Sequence, residues 1–491
     1  MISIKSLTLL LLLSLATAIV GARQKPNIIF IMADDLGYGE IGPFGQKLIQ
    51  TPHLDQMARE GMKLTDFYAN SICAPSRAGL ITGKSSAHAV VRDNYEFGTF
   101  LDSEEYGQMP LPPDTYTLGT MLQSAGYTTA TIGKWGLGGY LSGGVPWKQG
   151  FDFFYGYLDQ KQAHNYYPTH LWRNNEWEKL PNGYFHPHQK LGDKDPNDPG
   201  SYEAYKGAVY SADLMTDEAE KFIKKNTEKP FFLYLAYTLP HLALQVPDQE
   251  LEAYLGKFEE EPYTGGRGYL PHIAPRSAYA AMITLLDKYV GRIFETLKEA
   301  GLDENTLVIF TSDNGPSGGA DIGFFNSSGE FRGAKGGLYE GGIRVPFIAR
   351  WPGKIRPGST SSTMAALWDM MPTFGEAAGI RQHPTTDGIS ILPTLLGENQ
   401  NQEEREYLYW EIHRPMKGMQ AVRFGDWKAC RKGLHENPDA PIELYNLKED
   451  ISESNDLADQ HPDLVEKAKA FMDKRESAII RDWNFIDPFK K

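Results

Sequence analysis

Cysteine is scarce in this chain of 491 residues, which contains only Cys73 and Cys430. So few cysteines exclude a disulfide-rich scaffold of the kind that stabilises small secreted domains. The simplest role for the two residues is a single disulfide between them. If Cys73 is instead consumed by a modification, Cys430 is left as a buried or free thiol.

Clusters of basic residues are also missing. The formal net charge is −14 at neutral pH, and contacts to nucleic-acid phosphates need grouped lysine and arginine. We therefore expect no nucleic-acid partner, although one pocket of an acidic protein can still gather cations around an anionic substrate.

Long apolar runs are absent after the N-terminus. There, Lys5 precedes an apolar run from Leu7 to Val20, and the small residues Gly21 and Ala22 follow it. This pattern predicts a secretory signal cleaved near Ala22, and hence a periplasmic or secreted protein. The alternative is an uncleaved anchor, but the run is short for a span and polar sequence follows at once. We expect no stable membrane anchor.

What the chain does contain is an alternation of β-type and helical segments, without internal repeats. A helix is predicted from Pro52 to Gly61, and a second one carries an apolar stripe from Tyr279 to Leu297 and ends at Gly301. Aromatic and glycine-rich sequence from Gly138 to Gly200 is interpreted as long ordered loops. The alternation favours an α/β sheet covered by helices. The predicted strands are Asn27–Ala33, Tyr127–Ile132, Phe231–Tyr237 and Leu307–Thr311.

The pattern changes after about Gly379. A final helix is predicted from Pro462 to Ile479, after three antiparallel strands. We therefore predict a signal peptide (residues 1–22), a catalytic domain (23–380) and a C-terminal α+β subdomain (381–491). The three strands are Tyr407–Ile412, Gln420–Arg431 and Ile442–Leu447.

Two acidic or amide pairs follow predicted strands. Asp34-Asp35 comes after the first strand and Asp313-Asn314 after another. Either pair alone could form a turn, because Asp and Asn favour turns. Sites in α/β sheets collect at the carboxyl ends of strands, and oxygen ligands suit Ca²⁺ or Mg²⁺. Two such pairs together favour a metal site.

A third segment reads Cys73-Ala74-Pro75-Ser76-Arg77, followed by Ala78 to Gly83. Pro75 predicts the opening of a helix, which places Cys73 at a helix N-terminus, a position that favours anions. The alternative is a structural cysteine at the start of a helix.

This segment resembles the signature of type I, formylglycine-dependent sulfatases of the alkaline phosphatase superfamily: Cys/Ser-x-Pro-Ser-Arg, then Ala-x-Leu-x-Thr-Gly. Further motifs typical of the family follow in order, and the resemblance covers nearly the whole mature chain. It implies a large mixed sheet sandwiched by helices, with a smaller C-terminal subdomain made of an antiparallel sheet and a helix. The matching motifs are Asp34-Asp35, Gly133-Lys134-Trp135, Pro240-His241, Asp313-Asn314-Gly315, Lys335 ahead of Tyr339–Pro346, and Glu443–Leu447 followed by Asp450.

The resemblance also implies a mechanism for hydrolysis of a sulfate ester. A formylglycine-generating maturation enzyme oxidises Cys73 to an aldehyde, and the hydrate of that aldehyde attacks sulfur to form a sulfo-enzyme, which then releases inorganic sulfate. The metal ligands would be Asp34, Asp35, Asp313, Asn314 and the modified Cys73. Asp313 would accept a proton, Arg77 would hold the hydrate, Lys134 and Lys335 would bind the sulfonyl oxygens, and His241 would protonate the leaving alcohol.

One position departs from the family pattern. Gly136 stands where the family often has a histidine that is a candidate base for sulfate release. His164 is our candidate replacement; it could equally contact the sugar or be a structural histidine.

We expect a carbohydrate substrate, because the loops are rich in aromatic residues and the protein is predicted to be exported. Individually, the candidate sugar contacts could also be ordinary packing or surface residues. These candidates are Arg92, Asp93, Tyr166, Tyr167, Trp172, His413 and Arg414.

Two other functions fit the same motifs. One is phosphodiester or phosphonate monoester hydrolysis within the same superfamily, which relative turnover of sulfate and phosphate esters distinguishes. The other is an inactive protein that binds sulfated glycans and keeps Cys73 unmodified.

Overall fold

The computed structural model describes residues 25–266, 268–319, 321–380, 384–414 and 417–485. The predicted signal peptide, residues 1–22, lies outside these ranges, as do the first residues after the predicted boundary at 380. Among the described residues, no helix combines the length and the apolar character needed to cross a bilayer.

A mixed sheet forms the centre of the fold and helices cover it. The strands are β1 (Asn27–Ala33), β2 (Met62–Leu64), β3 (Phe67–Tyr68), β4 (Thr128–Lys134), β5 (Phe153–Tyr157), β6 (His170–Arg173), β7 (Glu176–Lys179), β8 (Phe231–Ala236), β9 (Thr306–Ser312), β10 (Phe347–Arg350), β11 (Ser359–Ser361), β12 (Ala365–Ala366), β13 (Leu408–Ile412), β14 (Met419–Phe424), β15 (Trp427–Lys432) and β16 (Glu443–Asn446). The helices are α1 (Pro52–Glu60), α2 (Cys73–Thr82), α3 (Leu118–Ser124), α4 (Ser211–Lys225), α5 (Asp248–Leu251), α6 (Pro275–Glu299), α7 (Glu340–Ile343), α8 (Met370–Ala377), α9 (Leu392–Leu395) and α10 (Pro462–Met472).

The large sheet has the order β11-β2-β10-β9-β1-β8-β4-β5-β6-β7. Its centre is parallel from β9 through β1, β8 and β4 to β5, whereas β10 and β6 join the two flanks antiparallel. The predicted α/β class with a large mixed sheet is confirmed. Because the central strands are parallel, their carboxyl ends meet at one edge, where sites collect.

Both faces of this sheet are buried, as the continuous apolar strands predict. Successive side chains of β1 point to opposite faces. Ile29 and Ile31 pack in one core cluster with residues of α4 and α6. Ile28 and Phe30 pack in a second cluster with residues of α2, α3 and α8.

Three sequence predictions need correction. The region from Gly138 to Gly200 contains β5, β6 and β7 rather than loops alone. The predicted strand Gln420–Arg431 is a hairpin of β14 and β15, turned at Gly425, whose positive φ of 56° suits glycine. The closing helix ends at Met472 instead of Ile479.

A four-stranded antiparallel sheet, β13 to β16, packs against the part of the fold that contains the large sheet. The predicted subdomain of a sheet plus a helix is confirmed as an architecture. Trp410 donates from Nε1 to the carbonyl of Ala69 at 2.8 Å. Lys428 on β15 is fully buried and lies 2.9 Å from both Glu340 and Glu453. The domain limits themselves stay predictions.

Candidate active site

Two neighbouring parallel strands deliver the acidic residues to one place. Ala33 pairs with Ser312 at the ends of β1 and β9, so the residues that follow both strands meet at the carboxyl edge. The backbone N–H of Asp35 donates to Asp313 Oδ1 at 3.1 Å. Asn314 Nδ2 lies 2.8 Å from Asp35 Oδ1. The structure thus brings the two predicted pairs together.

The start of α2 lies against this cluster. Cys73 is the first residue of the helix, and its Sγ lies 3.5 Å from Asp34 Oδ1. Ser76 Oγ donates to the carbonyl of Asp313, which fastens the first turn to the end of β9. Potential ligand atoms of Asp34, Asp35, Cys73 and Asp313 all lie within 4.8 Å of one another, and all four residues are buried.

Three basic side chains face the carboxylates, and the shortest contact of each one is with a different carboxylate. Arg77 Nη2 lies 2.9 Å from Asp313, Lys134 Nζ 2.6 Å from Asp34, and Lys335 Nζ 2.7 Å from Asp35. Arg77 also donates to the carbonyl of Lys134 at 2.6 Å, so the end of β4 and α2 are joined here. Three cations therefore surround a buried acidic centre, and such a grouping can attract an anionic substrate.

Burial and charge shift the proton affinities of these groups in opposite directions. Burial, together with the neighbouring Asp34 carboxylate, raises the pKa of Asp313 to about 7. Burial would also raise the pKa of Asp34, but the nearby Lys134, His241 and Arg77 hold it below its usual range. Burial raises the pKa of the Cys73 thiol. An unmodified Cys73 therefore stays a protonated thiol, a poor nucleophile.

The donor set fits a hard divalent cation. Its atoms are carboxylate and amide oxygens, the ligands that Ca²⁺ and Mg²⁺ prefer. Asn314 Oδ1 is buried and has no hydrogen-bond partner among the described residues, which leaves one oxygen of the cluster available. Such a buried acceptor costs free energy unless a donor or a cation meets it.

Three histidines, His241, His164 and His188, form a contiguous group beside the acidic centre, which we call the histidine wall. His241 Nε2 lies 3.6 Å from Asp35 Oδ2, while its Nδ1 faces the carbonyl of Leu242. Burial lowers the pKa of His241 to about 4. His164 stacks on His241 with ring centroids 4.7 Å apart, and its Nδ1 lies 2.9 Å from Nε2 of His188. The structure therefore brings His164 into the site.

Sequence reasoning missed one member of this wall, His188, and the two aromatic rings packed against it, Phe100 and Tyr269. His188 stacks on His164. The rings of Phe100 and Tyr269 are tilted against His188, with centroids 4.4 Å and 4.6 Å away. No motif marks these residues, and the one available signal was the high density of aromatic and histidine residues in the loops.

Other predicted residues do not reach the cluster. Arg92 is buried and bonds to Glu411 at 3.0 Å and to the carbonyls of Ala89 and Glu476. Its contacts join α2's following loop to the C-terminal sheet and give no support to the predicted substrate role. Asp93 and His413 are likewise buried, whereas Arg414 is exposed.

The aromatic candidates also serve structural positions. Tyr166 is buried and donates from its hydroxyl to the carbonyl of His241 at 2.7 Å, which orients that loop. Tyr167 packs in the core, and Trp172 is on β6. Cys73 and Cys430 are both buried free thiols, so the predicted alternative of a disulfide between them is wrong.

Family models and individual relatives match this chain over most of its length. The sulfatase family model matches residues 26–380, and a model described as N-sulphoglucosamine sulphohydrolase, C-terminal, matches residues 330–477. Arylsulfatase A of Homo sapiens is 32% identical over 91% of this chain and 86% of its own length. The N-acetylgalactosamine-6-O-sulfatase of Bacteroides thetaiotaomicron is 30% identical over 92% of this chain and 93% of its own length. The crystal structure of Ps i-CgsB in complex with k-i-k-neocarrahexaose has a TM-score of 0.75 at 28% identity, covering 95% of this chain and 94% of the other.

Proposed function

The chain belongs to the sulfatase family of sulfuric ester hydrolases, and on that premise we propose that it hydrolyses a sulfate ester of a carbohydrate, using a formylglycine made from Cys73. One observation carries this proposal. Cys73 opens α2 within the Cys-Ala-Pro-Ser-Arg segment, and its Sγ faces Asp34 inside a buried cluster of carboxylates and cations.

Oxidation of Cys73 would supply a nucleophile that the unmodified, protonated thiol does not provide. A hydrated aldehyde at position 73 supplies one hydroxyl to attack sulfur and a second whose deprotonation expels sulfate. The conversion requires a formylglycine-generating maturation enzyme as a partner. Arg77, held between Asp313 and the carbonyl of Lys134, is placed to orient that hydrate.

Residues around Cys73 supply charge and protons. Lys134 and Lys335 contact different carboxylates of the acidic centre, Asp34 and Asp35, and from there they stabilise negative charge on the sulfonyl oxygens. His241 presents Nε2 toward the cluster while its Nδ1 is held by the carbonyl of Leu242, a fixed geometry for protonating a leaving alcohol.

A Ca²⁺ or Mg²⁺ ion would be held by Asp34, Asp35, Asp313 and Asn314, with the modified residue 73 as a further ligand. When bound, such an ion lowers the pKa of a neighbouring hydroxyl and balances charge on the sulfate. The unpartnered Oδ1 of Asn314 supports this assignment.

A carbohydrate is the substrate class that the surroundings favour. The histidine wall, together with Phe100 and Tyr269, offers flat rings and imidazole nitrogens beside the reacting centre. Relatives of this chain are named for sulfated amino sugars, and an oligosaccharide is bound in a similar solved structure. Export to the periplasm or the medium would bring the protein to such glycans.

The test is the mass of the tryptic peptide from Leu64 to Arg77 after expression with a formylglycine-generating enzyme. We expect CH₂–SH at residue 73 to become CH=O, while the buried Cys430 in the same digest stays a thiol and serves as the internal control. Released sulfate from a panel of sulfated sugars, with matched phosphate esters, then defines the activity. An intact Cys73 in cells that mature a known sulfatase would contradict the proposal.

A further inference from the structure

Outside the acidic cluster, a pocket of about 510 Å³ is lined by residues of β6 and β7 and of the loops that carry Asp102 and Tyr140. This volume lies in the range of small-ligand sites. Two of the lining residues are aromatic and solvent-exposed: Tyr140 and Trp177 each keep 42% of their surface in water. Exposed aromatic rings that line one concave surface are typical of binding sites rather than of a core.

Both exposed rings have rigid backing. Trp177 stacks on His170 at 3.8 Å, and Tyr140 stacks on Trp172 at 5.6 Å between ring centroids. Glu105 is buried and accepts from Trp172 Nε1 at 2.9 Å, and its other oxygen lies 3.0 Å from His170 Nε2. One carboxylate therefore fixes the support of both rings, so little conformational entropy is lost when a ligand covers them.

The chemistry of the lining selects an uncharged sugar. Each ring offers a negative face to the polarised C–H groups of a sugar, and Asp102, Ser103 and Asn175 at the edge offer hydrogen-bonding groups for hydroxyls. Among the described lining residues there is neither lysine nor arginine. A sulfated sugar would meet the Asp102 carboxylate with no cation to offset the repulsion.

This pocket adjoins the proposed active site through one short segment. Phe100 lies over His188, and its ring centroid is 5.7 Å from that of His164. Asp102, two residues further along, lines the pocket. Two residues span at most about 7 Å of chain, so the pocket and the ring of Phe100 lie close enough for neighbouring units of one oligosaccharide to contact both.

The segment is also held in place. Asp159 accepts from the backbone of Gly107 at 2.9 Å and from Gln108 at 2.8 Å, and Lys161 donates to the carbonyl of Gly98 at 2.6 Å. Thr169 donates to Asp102 at 2.6 Å, which leaves the second carboxylate oxygen for a ligand.

We propose that the pocket of Tyr140, Trp177 and Asp102 binds an unsulfated sugar unit of the same chain whose sulfated unit enters the active site. This inference rests on the proposed carbohydrate sulfatase function and makes it specific: the substrate is an oligosaccharide or polysaccharide that also carries uncharged units.

Binding is tested without turnover, on the full chain, by affinity electrophoresis through gels that contain neutral galactan or neutral glucan. We expect at least one polymer to retard the wild type, Trp177→Ala to lose at least tenfold in affinity, and Trp177→Phe to keep most of it. Trp177→Leu separates stacking from apolar contact and should behave as the alanine variant. Ile479→Ala, an exposed apolar side chain outside the pocket, is the matched control.

Kinetic measurements on the matured enzyme then test whether the pocket contributes to the hydrolysis of an oligosaccharide. We expect Trp177→Ala to raise KM at least tenfold for a partly sulfated hexasaccharide and to leave turnover of nitrophenyl sulfate unchanged. The proposed sugar site is contradicted if wild type and variant have equal KM values on the hexasaccharide. It is also contradicted if no neutral polymer retards the wild type. If instead no sulfate ester is turned over while Trp177→Ala still abolishes neutral-sugar binding, the proposed function fails and the pocket stands.

Discussion

Gln160 occupies the space into which a side chain at Gly136 would project. A Cβ built on Gly136 would lie 2.7 Å from Cγ of Gln160, and the φ of Gly136 is +74°. Position 136 is thus closed to other residues both by sterics and by its backbone conformation. The histidine that the family often carries here has no room in this chain, so in the proposed mechanism another residue would be the base for sulfate release.

Substitution at this position should therefore destabilise the protein. We expect Gly136→Ala to cost about 1–3 kcal/mol in the free energy of unfolding, because a left-handed backbone is strained for alanine. In a Gln160→Ala background the penalty should shrink, since the contact part is removed and the backbone part remains. Chemical unfolding of the four proteins measures this coupling, and a Gly136→Ala variant as stable as the wild type would refute it.

His164 is expected to act through its stack on His241. His164→Phe keeps a flat ring at that place, whereas His164→Ala removes it. We predict that the phenylalanine variant retains kcat/KM within severalfold and that the alanine variant loses at least tenfold. If both variants lose activity equally, and in kcat rather than KM, the ring nitrogen transfers a proton and His164 is the missing base.

Divalent cations should stabilise the fold through the acidic cluster. After chelation, we expect Ca²⁺ at a hundredfold excess over its dissociation constant to add about 2.7 kcal/mol to the free energy of unfolding. Asp313→Asn should lose this calcium-dependent increase. Asp387→Asn, a partly buried carboxylate bonded to His88 outside the cluster, should keep it. An unchanged calcium effect in Asp313→Asn would rule out the assigned ligands.

Acid should loosen the attachment of the C-terminal sheet at Glu411. Burial raises the pKa of Glu411, but His413, Arg475 and Arg92 outweigh it and hold this pKa below its usual range. The unfolded chain then binds the proton more tightly, so this stabilisation is present above the ordinary glutamate pKa of about 4.3 and is lost as the pH falls below it.

Glu411→Gln tests this pH dependence. At neutral pH we expect it to cost about 3 kcal/mol, because two arginines lose their buried partner. Between pH 5 and 3 its thermal midpoint should fall less steeply than that of the wild type. Glu406→Gln, whose carboxylate is exposed and lies 3.5 Å from Lys474, is the control. Parallel acid curves for wild type and Glu411→Gln would contradict the expectation.

Much of the fold was predictable from apolar runs and terminal residues. β1, β8 and β9 are continuous apolar segments, and a buried parallel strand needs little else. β6 and β7 are not predictable in this way, because each strand has only four residues and a tight turn at Asn174 separates them. Such short segments do not show the alternation of apolar and polar residues that identifies a strand. β14 and β15 were merged because Gly425 interrupts the run for too few residues to separate two strands.

The candidate site, like the fold, could be predicted from the sequence only in part. Residues with a fixed place in a motif, such as Cys73, Asp34 and Lys335, could be named from the sequence, and the structure brings them together. His188 and Gln160 could not, since their positions depend on how loops from different strands pack. Arg92 is the opposite case. As a basic residue in a loop near the motif it was predicted to contact the substrate, but it is bound to Glu411.

The ion pairs of Lys428 have a consequence for biosynthesis. Glu340 lies only five residues after Lys335 and pairs with the nearby Arg344, yet its other cationic partner, Lys428, is on β15, and Glu453 follows later still. While the chain is being made, the segment that holds Lys335 emerges from the ribosome with a carboxylate that lacks one of its cationic partners until Lys428 has been synthesised. The ion pairs of Glu340 are therefore complete only after 428 of the 491 residues have been made.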